Sequence, residues 1–296
     1  MNTTFYGTGV AIVTPFNQSQ QVDFDALGKL IDSLIDGGVD YLVALGTTGE
    51  TATLDKKEKV AVLEYVKSKV AQRVPIVAGI GGNNTKEILD NLTAFDLSKF
   101  DAVLSVSPYY NKPTQEGIYQ HYKLIATNSP LPIILYNVPG RTSSTIAAET
   151  TLRLAQDCPN IIGIKEASAN FDIFNQILRD KPENFLVISG DDSVALPMMA
   201  LGAVGVISVT ANALPQQVAQ MVRLCLTQEF DKARLIHNQL LEFTKLLFLD
   251  GNPAGIKAAL HIMHICDNVM RLPLLPVNRA TFEQIQHEIN NISKLA

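Results

Sequence analysis

The sequence predicts an α/β fold, a (β/α)8 TIM barrel with a C-terminal helical extension, on three observations. Eight short β-rich apolar runs follow one another, each leading through a loop into a stretch with helical spacing. The runs are near-continuously hydrophobic, as strands covered on both faces should be. The first run leads into "VTPF" with no GxGxxG, the fingerprint expected of a doubly wound open sheet. A chain of 296 residues suits one such barrel with an appendage. It is long enough to remove roughly 75% of its unfolded surface from water.

The strand candidates, in order, are Thr8–Thr14, Tyr41–Gly46, Pro75–Gly81 and Ala102–Pro108 in the first half. Pro132–Pro139, Ile161–Ser168, Phe185–Asp191 and Gly205–Ala211 complete the eight. Between them lie amphipathic segments with recognisable ends. Asp23 opens "FDALGKLIDSLID", which stops at Gly37-Gly38. Asp55 opens "KKEKVAVLEYVKSKV", with Glu58 three residues on completing a capping box. Thr85 is expected to open the next helix, and Gly202 to end "SVALPMMAL". The barrel is expected to close near Thr227, which gives a catalytic barrel over 1–227 and a helical appendage over 228–296. In the appendage "DKARLIHNQLLEFTKLLF" has apolar positions at 3/4 spacing, and Pro253 stands where a new helix can start.

Composition narrows the function classes. Hydrophobic residues make up 47%, ordinary for a globular protein, and the formal net charge is −5. The 24 Lys and Arg are scattered with no basic run, which argues against nucleic acid as a partner. An anionic substrate would have to be held by a local Arg or Lys. The amino terminus has no signal-like apolar run, and no stretch approaches the ~20 apolar residues of a membrane span, so a cytoplasmic protein is expected. Cys158, Cys225 and Cys266 are far apart in the sequence and are expected to be reduced thiols in apolar packing.

In this fold catalytic groups sit where strands end and loops begin. The second strand ends in "GTTGE", where glycines allow close backbone approach and Thr47 and Thr48 offer hydroxyls suited to a carboxylate; a plain turn is the alternative. The fourth ends in "SPYYNKPTQ", whose adjacent Tyr109 and Tyr110 read as packing residues. The fifth ends in "YNVPGRT", with Tyr136 at the strand end. Arg141 follows on a loop stiffened by Pro139 and freed by Gly140, and is suited to bidentate carboxylate contact or to the bare surface. The seventh ends in "SGDDS", where Asp191 or Asp192 reads better as a helix cap than as a Mg²⁺ ligand. His261 and His264 have i,i+3 spacing on an expected helix, with no carboxylate nearby to complete a metal site.

The sixth strand poses the sharpest question. Of sixteen lysines, only Lys165 stands in a β-rich apolar run. A charge left there unpaired would cost several kcal/mol. Pairing with Glu166 is disfavoured, because adjacent strand residues point to opposite faces. Burial favours the neutral amine, and a neutral amine at a barrel mouth is a nucleophile for carbonyls; a purely structural lysine is the alternative. Such a Schiff-base lysine needs no cofactor, and none is expected. No phosphate loop, nucleotide fingerprint or Ser-His-Asp pattern occurs.

Together "GTTGE", "SPYYNKPTQEG", "YNVPGRT", "IKEAS", "GVISVTAN" and "NPAGIKAAL" resemble the dihydrodipicolinate synthase/N-acetylneuraminate lyase family, in its order and at its spacing, over essentially the whole chain. "YNVPGRT" points to the synthase branch, whose arginine binds the carboxylate of L-aspartate 4-semialdehyde. The resemblance implies condensation of that aldehyde with pyruvate to give 4-hydroxy-tetrahydrodipicolinate, in lysine (diaminopimelate) biosynthesis. A pyruvate-dependent aldolase or lyase acting on sialic acid or a 2-keto-3-deoxy sugar acid is the alternative. It further implies an imine on Lys165, proton shuttling by Tyr136, and a hydroxyl relay of Thr47, Tyr136 and a Tyr110 supplied by the neighbouring subunit. Thr48 and the backbone at Ile207 would hold the pyruvate carboxylate, Gly190 would leave room beside the keto acid, and Arg141 would orient the aldehyde. A homotetramer, built as a pair of tight dimers, is implied. The positions matching the family's lysine-inhibition site are Thr51, Ala52, Lys56, Lys59, Asn83, Glu87 and Tyr109. A cationic Lys56 there would repel the cationic end of lysine, so weak or no inhibition is expected.

Overall fold

The computed structural model describes residues 3–293. Eight parallel strands, β1 (Gly7–Ala11), β2 (Tyr41–Ala44), β3 (Ile76–Gly79), β4 (Ala102–Val106), β5 (Ile133–Asn137), β6 (Ile161–Glu166), β7 (Leu186–Ser189) and β8 (Gly205–Ser208), close in sequence order into a barrel. β1 completes the ring by pairing with β8. Tyr41, Val43, Val77, Leu104, Ile134, Tyr136, Ile188 and Ile207 pack together inside it. The alternate positions, such as Leu42, Ala44, Val103, Leu135 and Ile164, join the layer beneath the helices. Both faces of each strand are thus covered, which is why the runs read as continuously apolar.

The helices of the barrel are α1 (Phe24–Asp36), α2 (Lys56–Val70), α3 (Thr85–Ala94), α4 (Gln115–Asn128), α5 (Pro139–Thr142), α6 (Ala148–Asp157), α7 (Phe171–Asp180), α8 (Ala195–Leu201) and α9 (Pro215–Leu226). Asp23 caps α1, accepting from the Ala26 N–H, and the Asp55–Glu58 capping box is complete at α2. At α3 the cap is Asn84, whose side chain accepts from the Lys86 N–H, rather than Thr85. Thr85 is already helical, and its hydroxyl meets His121 Nδ1 instead, at 2.8 Å. Gly202 ends α8 in the left-handed region, at φ 121°.

Three helices follow, α10 (Phe230–Leu249), α11 (Ala254–Ile262) and α12 (Arg279–Ser293), with Pro253 at the cap of α11. α11 stops at Ile262, and His264 lies beyond it at φ 60°, so the two histidines do not share the helix face expected of them. Among the described residues no group of three His, Cys, Asp or Glu is placed to hold a metal ion. No helix among them is long and apolar enough to cross a membrane.

The strands end earlier than their apolar runs. β2 stops at Ala44 because Leu45 turns into the left-handed region at φ 56°, and two short 3-10 turns, Thr47–Gly49 and Thr51–Thr53, follow. β6 carries an irregularity with a consequence. Ile133 pairs with Ile161 but Ile134 pairs with Gly163, so Ile162 is an extra residue. Ile162 packs towards the barrel interior; strict alternation from it would send Lys165 outward. The bulge restores Lys165 to the inner face, in register with Tyr136. Gly163 makes this approach tolerable, since a Cβ there would lie 2.7 Å from the Leu186 carbonyl oxygen.

Candidate active site

Tyr136 and Lys165 are the penultimate residues of β5 and β6, at the carboxyl end of the barrel. Lys165 is 4% exposed, and its Nζ lies 4.3 Å from the centroid of the Tyr136 ring. Among the described residues it takes part in no ion pair, in contrast to the other buried lysine, Lys257, which pairs with Glu50. Glu166 does point the other way, accepting from Asn137 Nδ2 at 2.8 Å and from the Ser168 N–H at 2.7 Å. Gly190 follows β7 beside the lysine. A Cβ there would stand 2.7 Å from Ala167 Cβ and 3.0 Å from Lys165 Cε, so any side chain would press on the amine's stem.

Lys165 opens into a cavity of about 980 Å³, lined also by Thr47, Thr48, Tyr136, Arg141, Gly190 and Asn252. One wall is α10, through Leu241, Glu242, Thr244, Lys245, Phe248 and Leu249. A second compartment of about 410 Å³ shares Thr47, Tyr136, Arg141 and Asn252 with it. Arg141 lies on the one-turn helix α5 rather than on an open loop, because Pro139 starts a helical turn and the Arg141 N–H donates to the Val138 carbonyl. Gly140 has no positive φ and faces open space, so its conformational freedom is not used. Arg141 is exposed, and its closest polar partner is the Asn252 carbonyl, 3.4 Å from Nη2.

Asn252 is the functional candidate that sequence reading passed over. It comes from the C-terminal segment, donates from Nδ2 to Thr48 Oγ1 at 3.1 Å, and lines both compartments. The signal available was its place at the head of "NPAGIKAAL". Lys257 in the same segment was also missed as a buried lysine, because helical spacing gave no hint that "AGIKAALHI" is covered on all sides.

The acidic pair after β7 acts in caps. Asp191 accepts from Ser193, and Asp192 accepts from Ser208 Oγ and from the N–H groups of Val209 and Thr210, fixing the turn after β8. Burial pushes the Asp192 carboxyl up, and these hydrogen bonds oppose that.

The tyrosines after β4 do not pack as expected: Tyr109 is 42% exposed and Tyr110 is 86% exposed. Pro108 and Pro113 bound a loop that carries them outward, and Tyr110 stands at φ 72°. Tyr109 lines the smaller compartment, whereas Tyr110 lines neither. Ile207 is buried in the barrel interior and lines neither. Thr51, Ala52, Lys59, Asn83, Glu87 and Tyr109 come together around the smaller compartment, but Lys56 does not. Lys56 is the first residue of α2 and is exposed, so any repulsion of a cation falls to Lys59, one turn further on.

This arrangement, an unpaired buried amine over a phenol with hydroxyls and a guanidinium around one cavity, can form and process an imine of a small keto acid. Known proteins are similar to this chain over nearly its whole length. The 4-hydroxy-tetrahydrodipicolinate synthase of Parabacteroides distasonis is 51% identical over 287 residues, 97% of either chain. The crystal structure of dihydrodipicolinate synthase from Aquifex aeolicus superposes with a TM-score of 0.95 at 40% identity, covering 98% of each chain. The chloride-inhibited dihydrodipicolinate synthase of Acinetobacter baumannii, complexed with pyruvate, gives a TM-score of 0.95 at 40% identity over 98% of this chain and 99% of that one. None of these three is a sialic acid lyase or a sugar-acid aldolase. The profile of the dihydrodipicolinate synthetase family matches residues 4–292, and with barrel, amine and relatives in agreement the chain belongs to that family.

Proposed function

We propose that the chain is a lyase that condenses pyruvate with L-aspartate 4-semialdehyde to give 4-hydroxy-tetrahydrodipicolinate. The observation that carries this reading is Lys165, buried beside the Tyr136 ring in a cavity and without an ion-pair partner among the described residues. The Lys165 amine adds to the pyruvate ketone and water leaves, forming a cationic imine. That cation draws electrons from the adjacent methyl group, which loses a proton and becomes an enamine carbon. The enamine attacks the aldehyde carbon, forming the new C–C bond. The amine of the semialdehyde then displaces Lys165 and closes the ring, returning the free amine.

Every step moves a proton, and we assign that to Tyr136, relayed by Thr47 and by a Tyr110 from a second subunit. Tyr110 projects from its own chain, which supports a role across an interface. Thr48 and the backbone at Ile207 would hold the pyruvate carboxylate, Gly190 would clear space for the keto acid, and Arg141 would hold the carboxylate of the aldehyde. The pyruvate complex of the Acinetobacter relative supports the first substrate. Assembly as a homotetramer, a dimer of dimers, and a site of regulation around Lys59 and Glu87 belong to the same proposal. So does the division into a catalytic barrel over 1–227 and an appendage over 228–296, which walls the cavity through α10.

Incubation with pyruvate and borohydride, followed by peptide mass mapping, tests the reading. A reduced adduct on Lys165 is expected; an unmodified Lys165 would overturn it. Turnover of aspartate semialdehyde by the pyruvate-loaded enzyme then tests the second substrate.

A further inference from the structure

One rung beyond Tyr136 and Lys165, on the outward side of the barrel wall, Asn137 stands in register with Glu166. Both are buried, at 0% and 1% exposure. Asn137 Nδ2 donates to Glu166 Oε2 at 2.8 Å. Glu166 Oε1 accepts from the Ser168 N–H at 2.7 Å, and Asn137 Oδ1 accepts from the Ile146 N–H at 3.0 Å. The main chains join the same lattice: the Asn137 carbonyl accepts from the Ala167 N–H at 2.9 Å and the Glu166 carbonyl from the Gly190 N–H at 2.7 Å. The two residues, through side chains and main chain together, thus tie the ends of β5 and β6, the loops after them, and the glycine that abuts Lys165.

A carboxylate is an expensive way to fill such a place. The groups that hydrogen-bond to the Glu166 carboxylate are all neutral, and burial pushes its carboxyl up despite them. A core position with only a packing duty would be filled more cheaply by an apolar residue. What the carboxylate supplies is direction, since both of its oxygens accept and each fixes a different segment.

We propose that Asn137 and Glu166 are positioning residues for the reaction, an outer-face clamp that holds Tyr136 and Lys165 in reacting geometry on the inner face. Successive side chains of a strand point to opposite faces, so a hydrogen bond outside fixes the pleat inside. The clamp sits immediately after the two reacting residues, where the strands would otherwise fray into loops. A shift of about 1 Å at a reacting pair can cost about 10²-fold in rate. The inference rests on the reading of Lys165 as the imine-forming residue.

The test is a polarity swap in the full-length enzyme. Glu166→Gln presents an amide donor where two donors already point, and Asn137→Asp sets one carboxylate against another. Together they restore the lattice in reverse: the carboxylate at 137 accepts from the amide at 166 and from the Ile146 N–H, and the amide oxygen at 166 accepts from the Ser168 N–H. Each single variant is expected to lower kcat, and the rate of borohydride trapping at saturating pyruvate, by about tenfold or more, with the double variant back within about threefold of the parent. Single variants that lose melting temperature but trap at the parent rate would overturn the clamp and leave the Lys165 reading standing. A parent enzyme with no Lys165 adduct overturns both. If a single variant does not fold, the folded double variant decides: recovery supports the clamp and a rate still down tenfold overturns it. Glu166→Asp, which keeps the charge and withdraws it by one methylene, supports the clamp if trapping slows and counts against it if trapping is unchanged.

Discussion

Lys257 and Glu50 form a fully buried ion pair, Nζ to Oε1 at 2.5 Å, that bolts the C-terminal helices to the turn carrying Thr47 and Thr48. Glu50 stands in the left-handed region at φ 50° between two 3-10 turns, and its other oxygen accepts from the Arg271 N–H at 3.3 Å. Among the described residues two lysines are thus buried, with opposite surroundings. Lys257 meets a carboxylate and has a structural task. Lys165 meets a phenol ring and a cavity, and has a chemical one.

Lys257→Met should leave the Glu50 carboxylate buried without its cation. Breaking a pair of this kind costs about 3–5 kcal/mol, read as a fall in unfolding free energy in urea. Adding Glu50→Gln removes the stranded charge, and the double variant is expected to be more stable than Lys257→Met alone. A single variant as stable as the parent would refute the structural assignment.

The barrel was legible because burial on both faces of each strand is written as continuous apolar runs, and Asp23 and Asp55 announced their helices. Lys165 was legible for the same reason, as the one lysine in such a run. Which face it took was not, since that depends on the extra residue Ile162, and a bulge exists only in the pairing of β6 with β5. Asn252 and Lys257 were hidden because they reach the site from more than 200 residues away, at |i−j| = 204 for Asn252 and Thr48. Local periodicity cannot register such a contact. Tyr110 and Ile207 were named through family resemblance alone, and a single chain does not bring them to the cavity.

Tyr136→Phe keeps the ring beside Lys165 and removes only the hydroxyl. With the phenol as the proton shuttle, kcat should fall by about 10²–10⁴-fold. The Lys165 adduct should still form, more slowly, because the amine and the cavity remain. An unchanged kcat would remove Tyr136 from the mechanism.

Arg141→Ala should separate the two substrates. Arg141 is exposed and, among the described residues, the one hydrogen bond of its guanidinium is long, at 3.4 Å, so little stability should be lost. Loss of a charged hydrogen bond worth about 1.5–3 kcal/mol should raise KM for aspartate semialdehyde by roughly 10–100-fold. Trapping with pyruvate alone should proceed as in the parent. Equal loss with both substrates would assign Arg141 to something other than the aldehyde.

Free lysine should inhibit weakly. Lys59 and Glu87 line the smaller compartment, and the Lys59 cation opposes that of the ligand. Half-inhibition should need millimolar lysine or more, and Lys59→Ala should lower that concentration. Micromolar inhibition of the parent would show that the Lys59 charge does not govern the compartment.

His121 should make the fold sensitive to mild acid. Its ring is buried on α4, with Nδ1 against Thr85 Oγ1 and no partner for Nε2 among the described residues. Burial pushes its pKa down to about 4, from an ordinary 6.5. The folded state therefore keeps the ring neutral while the unfolded chain takes up a proton below about pH 6.5. Between those values the unfolded state binds more protons, so stability is fully present above pH 6.5 and is lost as pH falls towards 4. At about 1.36 kcal/mol per unit, the loss by pH 4.5 should be roughly 2–3 kcal/mol. Glu166 and Asp192, whose carboxyls burial pushes up, act with the opposite sign, so the parent alone does not isolate the histidine. His121→Asn removes the titration and keeps an atom able to bond Thr85. Unfolding free energies at pH 7 and pH 4.5 should fall more steeply in the parent than in this variant; parallel slopes would mean that another group carries the acid sensitivity.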